Sequence, residues 1–313
     1  VVMRSFPNLN ASIVRTSARE TYAFILEDLA TAYSLLPDDK SPDTHYVSKA
    51  AVEALRARVC LYMEDYEQAL KSASDVIEDY GFSLTPRDGY FDMFTTVNNR
   101  GSETIFALDG YGESRDLTKA FDCQSFYLLP SKKLLDIFRA DEDSAHPDVR
   151  YSLLNYDGRT GSKGCSMKYT ILEDVSDKEK AVDVFVSRLS EMYLIRAEAL
   201  CALNRNLDVA AGDVAKLRAR ATGLPESSCL PSYGDAKELA ETVERERIKE
   251  LYHEGFRLWD ITRLRENLER DEASTATVKF IQYPNDDFIF PIPGVEIEAN
   301  KEIQPNPNNE TQR

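Results

Sequence analysis

Apolar positions along this chain repeat with the spacing of amphipathic helices over much of its length. From Thr16 to Leu36, the residues Tyr22, Ile25, Leu26, Leu29 and Tyr33 share one face, and Pro37 ends the run. Val47 to Tyr80 predicts a helical hairpin. Leu55, Val59 and Tyr62 mark its first helix, and Tyr66, Ala69, Leu70, Ala73, Val76 and Ile77 mark its second. Gly81 follows as a C-terminal stop. Small alanines face one another across this hairpin, so its backbones can approach closely. Arg188 to Leu203 and Val209 to Ala221 predict a second hairpin of the same texture, with its turn at Asn204 to Leu207.

The order Tyr62, Asp65-Tyr66, Ala69, Ala73 resembles a tetratricopeptide helix pair. The two hairpins are too far apart in sequence to form a continuous repeat array. Between them, Phe82 to Val186 is irregular and contains Pro, Gly, Asn and aromatic residues. Short strands are predicted at Glu103–Leu108, Asp183–Val186 and Asp287–Pro291, and a short helix at Ser131–Phe138. Loops this long in a compact domain are functional or disordered, and the aromatic content favours function. The expected fold is therefore mainly α: one domain over residues 1–313, with tetratricopeptide-like hairpins, long irregular insertions at about 82–186 and a few short β-strands.

Asp235 to Val243 leads into the most informative stretch, Glu246 to Arg263. Ile248, Leu251, Tyr252, Leu258, Trp259 and Thr262 form its apolar face. Charges of opposite sign three or four residues apart fill the other face, as in Glu254 with Arg257 and Asp260 with Arg263. By pattern alone this is a solvated face. Gly255 marks either a helix junction or a close packing contact.

Composition narrows the function classes. At 313 residues, with 29% charged and 42% hydrophobic residues, the chain can bury a substantial core. A formal net charge of −16 argues against nucleic acid and against anionic lipid surfaces. No run of about 18 apolar residues occurs. The first residues, Val-Val-Met-Arg, carry no signal peptide, so the N-terminus is read as processed, truncated or incompletely represented. The five cysteines form no C-x-x-C pair and no disulfide framework; Cys60 and Cys201 sit in apolar helical patterns as small hydrophobes.

Catalytic patterns find little support. The three histidines stand in unrelated contexts, and His253-Glu254-Gly255 is not H-E-x-x-H. Gly158 to Cys165 fails the phosphate-loop spacing, and no G-x-S-x-G occurs. With 54 acidic residues, counts alone leave a two-carboxylate site open. Asp141-Glu142-Asp143 lacks the ligand spacing of an EF-hand and is read as a solvated acidic turn. The expectation is a non-enzyme with no catalytic residue, no metal and no cofactor.

The signature E-R-x-x-E-L-x-x-E-G-x-R-x-x-D-x-x-R, at Glu246 to Arg263, resembles that of the SusD/RagB family of outer-membrane nutrient-binding lipoproteins. Further pieces follow in the family's order. They are the Tyr22 to Pro37 helix with its terminal Leu-Pro, the Val47–Tyr80 hairpin, and Tyr90, Phe94 and Glu103-Thr-Ile-Phe-Ala. Next come Asp148-Val-Arg150, the Arg188 to Leu200 helix, Leu217-Arg-Ala-Arg-Ala, and the tail from Phe290-Pro-Ile-Pro to Asn306-Pro307. Two features depart from the pattern. The family's longer N-terminal part, with its lipidated cysteine, is missing, and the tail reads Gln304-Pro-Asn-Pro-Asn-Asn instead of Q-N-P-G-Y.

The resemblance implies a cell-surface glycan-binding protein at the outer face of the outer membrane. It would be held there by an N-terminal lipid anchor and act as the lid of a SusC-like TonB-dependent transporter, binding without catalysis. A RagB-like peptide receptor and a tetratricopeptide protein-interaction module are the alternatives. Sugar recognition needs aromatic faces and planar polar groups. Directly after the first strand, Asp109, Tyr111, Arg115, Phe121, Gln124 and Tyr127 offer both, in a region that contributes to the ligand face of the family; Tyr156 and Arg159 are secondary candidates. Trp259, the only tryptophan, lies on the apolar stripe of the signature and is assigned to core packing. The charged signature residues are expected to be structural, fixing helix packing through ion pairs and hydrogen bonds.

Overall fold

The computed structural model describes residues 14–38, 43–97, 99–110, 130–141, 143–154, 166–170, 182–272, 274–300 and 302–307. They fall into two compact units. One is Ala32–Arg257, and the other joins the chain ends, Val1–Thr31 with Leu258–Arg313. Helix dominates, as the periodicity predicts.

In the larger unit, α2 (Lys49–Tyr62) and α3 (Tyr66–Asp79) form the first hairpin. The Ser48 and Asp65 side chains accept hydrogen bonds from Ala51 N and Gln68 N at the helix starts. Ala50, Ala54, Ala57, Ala69 and Ala73 are fully buried, so the helices approach closely. Leu55, expected on the buried face, is exposed instead, because the alanines occupy the seam. Gly81, at φ +70°, follows the end of α3 in the left-handed conformation expected of a stop.

Next come α4 (Arg87–Thr95), β1 (Thr104–Leu108), α5 (Lys132–Ala140), α6 (Val149–Ser152) and β2 (Val184–Arg188). β2 runs directly into α7 (Leu189–Ala202), which pairs with α8 (Leu207–Thr222) as the second hairpin. A short α9 (Glu226–Cys229) precedes α10 (Ala236–Leu251). Arg58 donates to both oxygens of Glu191 at 2.6 Å, joining α2 to α7. Arg196 grips Asp213 at 2.8 and 2.7 Å, joining α7 to α8. Both are two-pronged contacts between guanidinium and carboxylate planes. β1 and β2 pair antiparallel, from Thr104 opposite Arg188 to Leu108 opposite Val184, with irregular register near Phe106.

Gly255, at φ +87°, breaks the signature between α10 and α11 (Arg257–Arg263), so it is a helix junction. The charges N-terminal to that break are not solvated. Glu246, Glu250, Arg247 and Lys249 are buried. Glu250 Oε1 accepts from Arg188 and Arg220 at 2.6 Å each, and its Oε2 lies 3.3 Å from Arg150. Glu254 accepts from Lys168 at 2.6 Å and from Arg188 at 2.9 Å through each oxygen. Glu103, on the approach to β1, accepts from Arg188 at 2.5 Å and from Arg220 at 2.8 Å. Buried charges require such matched partners. Burial alone would raise the pKa of Glu246, yet Arg150, Lys249 and Arg218 hold it down to about 2. Burial depresses the Lys168 ammonium to about 8, against the pull of Glu254.

The smaller unit contains the start of α1 (Ala18–Leu35), the end of α11, a two-residue ribbon of β3 (Leu268–Glu269) with β4 (Phe280–Ile281), and α12 (Gly294–Ala299). Ser17 and Glu20 form a reciprocal cap at the start of α1: Glu20 N donates to Ser17 Oγ, and Ser17 N donates to Glu20 Oε2. Arg15 donates to the Gln304 carbonyl at 2.8 Å, tying the two chain ends together. The strand expected at Asp287–Pro291 does not form; Asp286–Phe288 is a 3₁₀ turn. Pro291 and Pro293 lack the amide hydrogens that a ladder needs. Trp259 is 49% exposed and meets Phe290 edge to face at 6.4 Å, which overturns its assignment to the core.

Three free cysteines are buried among the described residues, Cys60, Cys201 and Cys229. Burial pushes the Cys60 thiol up to about 11 and the Cys201 thiol to about 12, so both behave as inert core residues. No helix among the described residues is long and apolar enough to cross a membrane.

Candidate functional site

Of the residues singled out for ligand contact, Asp109 is described; it stands exposed just beyond the end of β1. Tyr111, Arg115, Phe121, Gln124, Tyr127, Tyr156 and Arg159 lie outside the described residues. The ends of the segments that carry them are described. Segment 111–129 starts from Gly110, whose amide donates to Asp183 Oδ1 at 2.9 Å, and Asp183 directly precedes β2. Segment 155–165 starts after Leu154 and ends before Ser166, and Met167 N donates back to the Leu153 carbonyl. Segment 171–181 follows Thr170 and ends before Val182. Ala107, Leu153, Leu154, Met167, Tyr169 and Val182 all belong to one buried cluster, centred on Phe94 and Phe185. Described residues flanking all three segments are thus anchored in the same core. The rings packed there are fixed edge to face, Phe94 with Phe185 at 5.3 Å and with Tyr169 at 6.2 Å.

The stem around Asp183 is polar and closely tied. Asp183 Oδ2 lies 2.8 Å from His45 Nε2 and 2.8 Å from Arg100 Nε. Arg100 also donates to Asp43 Oδ1 and Thr44 Oγ1, both at 3.2 Å. The Ala107 amide donates to the Thr44 carbonyl at 2.9 Å, which fixes the turn carrying His45 against β1. The sequence singles out Asp109 as a candidate but not His45, Arg100 or Asp183. Their signal is spatial, since His45 and Asp183 are 138 residues apart. Asp141, read as part of a solvated acidic turn, is an exposed turn residue and also pairs with Lys249.

A concavity lies within the smaller unit. It is an open cleft of about 660 Å³ lined by Thr262, Tyr283, Asn285, Phe288 and Pro307. Tyr283 and Phe288 stand 5.8 Å apart there in a tilted arrangement.

Comparison with known proteins matches this architecture. The sequence profile of the SusD family matches residues 156–308. Two SusD-like proteins of Formosa agariphila are each 26% identical, over 94% and 82% of this chain and 66% and 59% of their own lengths. A SusD superfamily structure from Bacteroides thetaiotaomicron superposes with a TM-score of 0.83 at 24% identity, covering 98% of this chain and 70% of that one. The chain is SusD-like.

The SusD-like chain spans about two thirds or less of the curated relatives it matches. A SusD-like carbohydrate binding protein from Bacteroides vulgatus has the same fold, with a TM-score of 0.73 at 21% identity over 94% of this chain and 67% of that one. The family profile covers α7, α8 and the signature helices. In this SusD-like chain α8 and the signature helix α10 carry much of the buried ion lattice, so the signature charges from Glu246 to Glu254 serve packing.

Proposed function

We propose that this SusD-like chain binds carbohydrate without turning it over, through segments 111–129 and 155–165, whose flanking residues are held in the core. The supporting observation is that the stems of these segments share one rigid core cluster and that Asp109 is exposed at the first of them. A fixed scaffold that presents variable segments can change specificity without disturbing its core. Tyr111 and Phe121 are assigned to stacking on sugar rings, and Asp109, Arg115 and Gln124 to hydrogen bonding their hydroxyls. Tyr127, Tyr156 and Arg159 complete the proposed surface. The family likeness and the carbohydrate-binding Bacteroides vulgatus neighbour support a glycan over a peptide. As part of a longer SusD-like protein, it would sit on a SusC-like TonB-dependent transporter at the outer face of the outer membrane, held by a lipid anchor.

Isothermal titration of Tyr111→Ala and Phe121→Ala with a glycan that binds the parent protein tests the location. Loss of a stacking ring should cost about 1 kcal/mol or more, roughly fivefold in affinity. Parental affinity in both variants, with folding intact, would move the site to the cleft beside Tyr283 and Phe288.

A further inference from the structure

We propose that His45, Asp109 and Asp183 form a binding site for a divalent transition-metal ion, with zinc the best fit. One donor atom from each residue lies within 4.8 Å of the others. The three donors come from separate segments: the turn before α2, the end of β1 and the residue preceding β2. Ligands bound to zinc at about 2.0–2.2 Å sit roughly 3.4 Å apart in a tetrahedron. The His45–Asp183 separation of 2.8 Å and the exposed Asp109 carboxylate reach that arrangement by side-chain adjustment. Three protein ligands with one position left for water is a known zinc arrangement.

The surroundings suit a cation despite the adjacent guanidinium. Arg100 is paired with Asp43 as well as with Asp183. Three carboxylates and one guanidinium leave two negative charges, which a divalent ion neutralises. Gly110 N holds the other oxygen of Asp183 at 2.9 Å, as outer partners orient metal ligands. An imidazole donor selects zinc and its neighbours over calcium and magnesium, which take oxygen ligands. Bound metal would pin the residue after β1 to the residue before β2.

The test is calorimetric titration of zinc chloride into chelator-stripped protein at neutral pH, with Asp109→Ala and His45→Ala beside the parent. The parent should bind one ion saturably, and each variant should bind it at least about 10-fold more weakly, since even outer-shell changes cost about 10–100-fold. Calcium chloride should bind far more weakly than zinc. Asp109 is exposed, so its variant decides the matter if His45→Ala fails to fold. Absence of saturable zinc uptake by the parent, zinc uptake unchanged in Asp109→Ala, or calcium binding as tight as zinc would overturn the proposal.

Discussion

The buried ion lattice makes a quantitative prediction through Glu250→Gln. Glu250 is fully buried and is the shared acceptor of Arg188 and Arg220, with Arg150 at 3.3 Å and the Tyr90 hydroxyl also at 3.3 Å. Those arginines hold its carboxyl well below the usual carboxylate range, against a burial effect that would raise it. Glutamine keeps the shape and removes the charge, leaving buried guanidinium groups without their central counter-ion. Removing one partner of a buried pair costs about 3–5 kcal/mol. At about 2 °C per kcal/mol for a chain of this size, Tm should fall by roughly 6–10 °C. Glu67→Gln is the control, because Glu67 grips Arg205 just as closely, at 2.9 and 2.6 Å, but on the surface. That change should cost less than about 1 kcal/mol. Chemical denaturation of both variants gives the comparison. A Glu250→Gln cost no larger than that of Glu67→Gln would refute the view that the signature charges hold the fold.

Other outcomes follow from the same geometry. Trp259→Ala should cost less than about 2 kcal/mol in thermal unfolding, while Phe94→Ala, at a fully buried ring, should cost about 3–5 kcal/mol; equal losses would return Trp259 to the core. Glu246 carries a folded pKa of about 2 against an ordinary 4.5, so its stabilisation is present above pH 4.5 and lost as pH falls towards 2. That window should contain a drop of about 3 kcal/mol which Glu246→Gln lacks; parallel acid-unfolding curves for the two proteins would contradict it.

The hairpins were legible in sequence because a 3.6-residue period survives wherever one helix face meets a core. The alanine seam of the first hairpin was legible as well; Leu55 alone was placed on the wrong face. In the signature, periodicity took the charges for a solvated face, because the matching cations lie elsewhere in the chain, at Arg150, Lys168, Arg188 and Arg220. Family resemblance, not pattern, suggested a structural role. Trp259 was misplaced because a stripe read over two helices does not survive the break at Gly255. The apolar run near Phe288 looked like a strand, but its prolines cannot donate to a ladder. At the candidate site, Asp109 was readable as a polar residue following a strand. Its neighbours His45 and Asp183 were not, because only folding brings them together.

The most direct test of the central claim presents the protein with an oligosaccharide array and a peptide library in parallel, then recovers the bound ligand for mass spectrometry. Capture of at least one oligosaccharide class, returned at its original length, with no peptide retained, is the predicted result. Peptide capture without any glycan, or recovery of shortened oligosaccharides, would contradict it.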